Sequence, residues 1–149
     1  MQTDLTIRQA RAADVPQLEA LERETYALEG YPTALFYQAI AQWPEFTTVA
    51  TQTNRVLGYL LAAPGTNDEL WIMSLLIDTR ARGQGIGALL VRHLIDHINQ
   101  SPNQFKHLKL SVSPTNLAAI ALYKKMGFSK QSLIDDFLGP GEPRLIMRY

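Results

Sequence analysis

Eight consecutive residues, Arg80-Ala81-Arg82-Gly83-Gln84-Gly85-Ile86-Gly87, concentrate the chemistry of this chain. Three glycines at alternate positions let the backbone approach a ligand closely and leave successive N–H groups free to point at it. Where such a run opens a helix, the helix dipole favours negative charge at the same place. The two arginines add always-charged guanidinium groups that can hold a phosphate through paired bonds. The combination reads as a cradle for a pyrophosphate rather than as a flexible connection. Nothing else in the chain would gather an anion: Lys plus Arg and Asp plus Glu are 14 each among 149 residues, a formal net charge of zero. Without an overall basic field, general binding to nucleic acid or to anionic lipid is excluded, and an anion must be caught locally.

Two phosphate-binding patterns are weighed at this loop. Gly83-Gln84-Gly85-Ile86-Gly87-Ala88 formally matches the dinucleotide fingerprint G-x-G-x-x-[GA], which would make the protein a nicotinamide or flavin oxidoreductase. That fingerprint wants its first glycine directly after a strand and an acidic residue about 20 positions on. Here Asp78, Thr79, Arg80, Ala81 and Arg82 intervene after Ile77, and the next strand ends in Ser111-Val112-Ser113 without an acid. A P-loop fails as well, because no Gly-Lys-Ser/Thr follows at the required spacing. His93 and His97, spaced i, i+4, could in principle hold a metal, but they border the Leu90, Leu94, Ile98 stripe beside Asp96 and read as a solvated helix edge, so no metal is expected. The absence of cysteine removes a thiol nucleophile, a disulfide framework and any Cys-ligated zinc or iron–sulfur site.

The elements that must position this loop follow from periodicity. Residues 3–10 alternate as a first strand. Asp14 is the expected N-cap of a first helix, with Pro16 in its first turn and Gln17 at the capping-box spacing, and Val15, Leu18 and Leu21 recur on its apolar side. A second short helix carries Leu35, Phe36, Ala39, Ile40 and Trp43 and stops at Pro44. Residues 46–51 and 56–63 read as a hairpin turning near Asn54. Glu69–Ile77 is nearly all apolar, as in a central strand covered on both faces. A long amphipathic helix then runs from Gly85 to about Gln100, followed by a strand over residues 106–112. Asn116 caps a last helix whose apolar positions include Leu117, Ile120, Ala121 and Met126, ended by Gly127. Residues 128–133 and 144–149 are two more strands. The composition, 46% apolar and 19% charged, suits one globular domain over residues 1–149. No leader and no run of about 20 apolar residues is evident, so a soluble cytoplasmic protein is expected.

The pattern Arg82-x-x-Gly85-x-Gly87 after Leu75-Leu76-Ile77, with Asn116-Leu117-Ala118-Ala119-Ile120-Ala121-Leu122-Tyr123-Lys124-Lys125-Met126-Gly127-Phe128 further on, resembles the GNAT superfamily of acetyl-CoA-dependent N-acetyltransferases. The resemblance covers essentially the whole chain, with Thr79 where the family often has proline. It implies an α/β (α+β) fold: a mixed, largely antiparallel sheet of six to seven strands, four helices, and a parallel strand pair that splays to admit the cofactor. It implies further that Arg82, Gly83, Gln84, Gly85, Ile86, Gly87 and Ala88 hold the pyrophosphate of acetyl-CoA. Leu75, Leu76 and Ile77 would pair through their backbone with the pantetheine arm, and Asn116 would contact the cofactor or the amine. Tyr123 would protonate the departing thiolate.

The general base stays open in this reading. Where relatives of the arylalkylamine type have histidines, this chain has Trp71 and Met73, and where the ribosomal-protein alanine N-acetyltransferases have a glutamate it has Ser111. Glu29, Glu69, Asp135, Asp136 and Glu142 are the remaining carboxylates considered, each also readable as a surface group. Glu29 and Tyr31 are expected at the acceptor side, within an aromatic set of Tyr26, Tyr31, Phe36 and Trp43. The acceptor is a primary amine, either a protein or peptide N-terminus or a small molecule, and a homodimer is an expectation drawn from the resemblance. A CoA-binding sensor or interaction domain without turnover, and more distantly a dinucleotide-binding oxidoreductase, are the alternatives.

Overall fold

A computed structural model describes residues 4–149. Its strands in chain order are β1 (Thr6–Gln9), β2 (Thr47–Gln52), β3 (Arg55–Pro64), β4 (Glu69–Ile77), β5 (His107–Val112), β6 (Ser129–Ile134) and β7 (Arg144–Arg148). Its helices are α1 (Val15–Tyr26), α2 (Thr33–Gln42), α3 (Ile86–Asn99) and α4 (Leu117–Lys125). All seven strands join one sheet in the order β1-β2-β3-β4-β5-β7-β6. Every neighbouring pair is antiparallel except β4 with β5. That parallel pair needs a long crossover, and α3 supplies it.

Alternation of side chains assigns each sheet face its helices. Leu60, Ala62, Leu70, Ile72, Leu108 and Leu110 point to one face and pack against Ile86, Leu90 and Leu94 of α3 and Ile120 and Tyr123 of α4. Val49, Tyr59, Leu61 and Leu76 point to the other and pack against Val15, Leu18 and Leu21 of α1 and Phe36 and Ala39 of α2. The β2–β3 hairpin closes through Thr53 and Asn54, both at positive φ, the twist that two-residue hairpin turns prefer. Gly58 answers a close approach, since a Cβ there would lie 2.6 Å from Ile77 Cδ1 and 2.9 Å from the Leu76 carbonyl.

Several sequence expectations are corrected. The first strand is shorter than residues 3–10, and Met1 to Thr3 lie outside the described residues. Asp14 does not cap α1 with its side chain. Its carboxylate instead takes two bonds of 2.8 Å from the Arg8 guanidinium and one of 2.7 Å from the Arg11 amide, tying β1 to the turn before α1. Gln17 forms no capping box either, because its Oε1 accepts from the Val56 amide at 2.8 Å. In α4 the expected apolar positions Leu117 and Ala121 are exposed, Leu117 at 73%, so the buried side is Ile120, Tyr123 and the following Met126. β4 is not covered throughout: Met73 is 40% exposed, and that interruption falls at the site described next.

Candidate active site at the β4 splay

β4 and β5 pair only from Glu69 with His107 to Ile72 with Leu110. Beyond that point Ser111 and Val112 pair with β7, while residues 73–77 keep β3 alone as partner. The divergence has a local cause. The β3–β4 register runs from Leu61 with Ser74 to Ala62 with Ile72, so Met73 is an extra residue, a bulge that bends β4 away from β5. The start of α3 lies beside the strand so freed, a Cβ at Gly87 falling 3.8 Å from Leu75 Cδ2.

On the α3 side the loop from Asp78 to Gly85 forms the floor. Asp78 is buried and takes bonds from the Arg80 amide at 2.9 Å, from the Arg80 side chain at 2.9 and 3.1 Å, and from Arg55 at 2.8 Å. These guanidinium contacts hold its carboxyl well below the usual carboxylate range. Arg80 is thereby occupied, so of the two loop arginines only Arg82 is left near the cradle, exposed, with Nε donating to the Ile77 carbonyl at 3.3 Å. Gly83 and Gly85 both have φ of +78°, a conformation that favours glycine, and a Cβ at either would meet nothing within 4 Å. The first bond inside α3 runs from the Leu89 amide to the Gly85 carbonyl, and no side chain caps the helix. The amides of Ile86, Gly87 and Ala88 are therefore the open donors of a 14-residue helix. Gly87 lets this helix end lie against α4, since a Cβ there would be 3.3 Å from Leu122 Cδ2. Open amides, a helix dipole and a nearby Arg82, with Leu75, Ile77 and Leu122 as an apolar wall, fit the pyrophosphate and pantetheine of acetyl-CoA.

On the α4 side Tyr123 is 6% exposed, edge-on to Phe128 at 5.6 Å between ring centroids. Burial, with a smaller effect of Tyr26, pushes its phenol well above the ordinary value, which keeps it in the protonated, donating form. Asn116 caps α4 by accepting from the Ala119 amide at 3.2 Å, so its oxygen is in use. Lys124 and Lys125 are exposed.

Two loops meet on β4 beside the splay. Tyr31, in the turn between α1 and α2, donates its hydroxyl to the Met73 carbonyl at 3.1 Å. Phe137, in the β6–β7 loop, stacks on Trp71 with centroids 6.3 Å apart and 18° between planes. Lys109 Nζ lies 5.7 Å over the same indole and bonds Glu69 at 2.9 Å, while Trp71 Nε1 donates to Glu69 at 2.8 Å. Glu69 is thus fixed in an ion pair that holds its carboxyl low. Glu29, Asp135, Asp136 and Glu142 are exposed; Asp136 accepts from the Gly141 amide at 2.7 Å and Glu142 lies 3.5 Å from Arg144. Tyr26 lies at the end of α1 in the field of Glu22, Arg82 and Arg144, while Phe36 is core and Trp43 is half-buried between the two helical layers. His97 pairs with Glu45 at 3.2 Å, and no group of three metal-ligating side chains occurs among the described residues.

One feature escaped the sequence reading. Glu22, 2% exposed, accepts a hydrogen bond from the Tyr59 hydroxyl on Oε1 and one from the Tyr31 amide on Oε2 at 3.1 Å, and Tyr59 in turn meets Ser74 Oγ at 2.9 Å. Burial pushes the Glu22 carboxyl up, against the opposing influence of the Tyr31 amide and the nearby Ser74. The signal was present: Val15, Leu18 and Glu22 share one α1 stripe, so a carboxylate stood on an apolar face.

Residues 14–128 match the model of the Acetyltransferase (GNAT) family. The chain belongs to the GNAT family. An uncharacterised N-acetyltransferase of Methanocaldococcus jannaschii is 29% identical over 143 residues, covering 96% of this chain and 90% of its own. The N-alpha-acetyltransferase of Saccharolobus solfataricus is 26% identical, covering 97% and 92%. The solved structure of Chaetomium thermophilum Naa20 in complex with a bisubstrate analogue superposes with a TM-score of 0.82 at 25% identity, covering 96% of this chain and 85% of that one. This GNAT protein is an acetyl-CoA-dependent N-acetyltransferase, and the expected fold with its splayed parallel pair is the one observed. No described helix is long and apolar enough to cross a membrane.

Proposed function

We propose that this enzyme acetylates the α-amino group of a peptide or protein N-terminus. The observation that carries the reading is the convergence of Tyr31 and Phe137 on residues 71–73 of β4, which makes the acceptor side a groove between two loops rather than a closed cavity. The same two loops carry exposed apolar residues, Leu28 in one and Leu138 in the other, surface that an extended chain could cover. The Saccharolobus solfataricus relative, an N-alpha-acetyltransferase, supports the same acceptor class.

In this proposal Arg82 and the amides of residues 83–88 hold the pyrophosphate, and the free edge of Leu75, Leu76 and Ile77 pairs with the pantetheine arm. Acetyl-CoA supplies an activated acyl carbon. Tyr123 holds the proton that the departing sulfur takes up, and Asn116 sets the start of α4 beside the splay. Glu29 and Tyr31 border the amine, with Tyr31 fixing its loop to β4. The chain acts as one domain in the cytoplasm, and a second copy would pair along β6, an exposed edge strand with Leu133 and Ile134 outward. Acetyl transfer from acetyl-CoA to short peptides differing in their first two residues, run beside polyamines and free amino acids, tests the acceptor. Peptides are the expected substrates; transfer confined to small amines would overturn the peptide reading.

A further inference from the structure

Glu22 is the buried carboxylate for which the assigned roles leave no work. It sits under the turn that carries Tyr31, and Gly30 makes room for it: a Cβ at Gly30 would lie 2.9 Å from Glu22 Oε2. The groups facing it are Tyr59 from β3, Ser74 from β4, the Tyr31 amide from the turn and Tyr26 on its own helix, and no cation pairs with it among the described residues. Tyr59 is fully buried and Glu22 nearly so. Ser74 is only half-buried and lies one residue past the Met73 bulge, so a continuous hydroxyl path leads from the acceptor side of the splay to the carboxylate.

We propose that Ser74, Tyr59 and Glu22 form the proton relay that deprotonates the acceptor amine. The inference rests on amine acetylation at this cleft. An ammonium N–H proton passes to Ser74 Oγ, the Ser74 proton to Tyr59 Oη, and the Tyr59 proton to Glu22 Oε1. The ammonium becomes a neutral amine and the carboxylate a carboxylic acid. The amine lone pair then forms the C–N bond as the C–S bond breaks. The sulfur takes the Tyr123 proton, and the proton shed by the new amide nitrogen returns to Tyr123 through solvent. Glu22 releases its proton to solvent after the acetylated product leaves. Burial raises the basicity of Glu22, which suits a proton acceptor working near neutral pH.

Rate against pH for Glu22→Gln, Tyr59→Phe and Ser74→Ala tests the relay, with one peptide acceptor and acetyl-CoA binding measured in parallel. Tyr59→Phe keeps the ring that meets Phe36 edge-on at 5.3 Å, so it cuts the path with little loss of packing. The expected result is a fall in kcat of about 15- to 30-fold near pH 6.5 for Glu22→Gln and Tyr59→Phe, the deficit set by the small neutral fraction of an α-amine at that pH, a smaller one for Ser74→Ala where water fills the gap, and recovery toward the wild-type rate near pH 9.5, where the amine is neutral without help. Acetyl-CoA affinity should not change. A wild-type pH profile retained in Tyr59→Phe, or a loss equal at every pH, overturns the relay while leaving acetyl transfer standing. A wild-type protein that acetylates no amine overturns the transfer reading and the relay together.

Discussion

Tyr31 and Met73, 42 residues apart in sequence, are joined by a 3.1 Å bond from the phenol to the carbonyl at the β4 bulge. A bulge frees one strand carbonyl from the ladder, and here that carbonyl ties the Tyr31 loop to β4, at the edge of the proposed acceptor groove. Removing the hydroxyl in Tyr31→Phe should loosen the loop and leave the ring in place. A net hydrogen bond contributes about 1 kcal/mol, which corresponds to roughly a five- to tenfold change in an equilibrium. Steady-state kinetics should show KM for the acceptor rising by about that factor, with acetyl-CoA affinity unchanged; an unaltered acceptor KM would mean that the tether has no part in binding.

The loop glycines make a second prediction. At φ of +78°, Gly85→Ala forces a side chain into the left-handed region at a cost of about 1–2 kcal/mol, with no packing clash because nothing lies within 4 Å of the new Cβ. The methyl would project into the open space proposed for the pyrophosphate. Calorimetric titration with CoA should give a dissociation constant raised by about tenfold or more, whereas a variant that binds normally would separate this loop from the cofactor.

Tyr123→Phe should preserve the fold, because the ring is buried edge-on to Phe128 and only the oxygen is lost. General acid catalysis contributes about 10²–10⁴-fold. Single-turnover transfer should slow by a factor in that range while CoA binds as before. A full-rate variant would assign the proton to another group.

Protein stability should depend on pH through Asp78. Its folded value is lowered by Arg80 and Arg55, so its contribution is complete above the unfolded value near 3.8 and is lost as pH falls through the lower folded value. Asp78→Asn should destabilise the protein by about 2 kcal/mol at pH 6, a charge-assisted bond being worth about that much, with the gap to wild type closing in acid. Glu22 has the opposite sign: burial raises it, so folding is weakened as pH rises from its unfolded value to its folded one. Urea melts of wild type, Asp78→Asn and Glu22→Gln between pH 3 and pH 8 distinguish the two, and parallel curves would refute both assignments.

How much of this was legible in the sequence varies with the range of the interaction. The bounds of β4, Glu69–Ile77, are legible in the sequence, since a nearly unbroken apolar run needs no partner to declare itself. The Asn116 cap and the Gly83–Gly85 turn are local too, and they stand where the sequence put them. Asp14 and Gln17 carried cap-forming types at cap spacing, yet each was claimed by a distant partner, Arg8 on β1 for one and Val56 on β3 for the other. The sequence pairs Arg80 with Arg82 as anion ligands because it does not reveal that Asp78 takes the Arg80 guanidinium. The Met73 bulge and the Glu22–Tyr59–Ser74 path depend on β3 register and on how α1 lies over the sheet, which no local pattern encodes. The site's floor was therefore visible as a motif, and its acceptor wall appeared only with the fold.

The choice between acetyl-CoA and a dinucleotide is decided by where the open amides lie. In this fold they follow a strand that has lost its β5 partner, so under the proposed reading the ligand continues from the open amides along residues 75–77 as an extended arm. CoA has such an arm, and a nicotinamide dinucleotide has a second ribose and ring in its place. Thermal unfolding with each ligand at about 100 times its dissociation constant should therefore show roughly 2.7 kcal/mol of added stability and a midpoint raised by several degrees with CoA and acetyl-CoA. NAD at the same concentration should leave the midpoint where it was. Equal shifts with NAD would mean that the splay does not select the pantetheine arm, and the backbone role given to Leu75, Leu76 and Ile77 would fall with it.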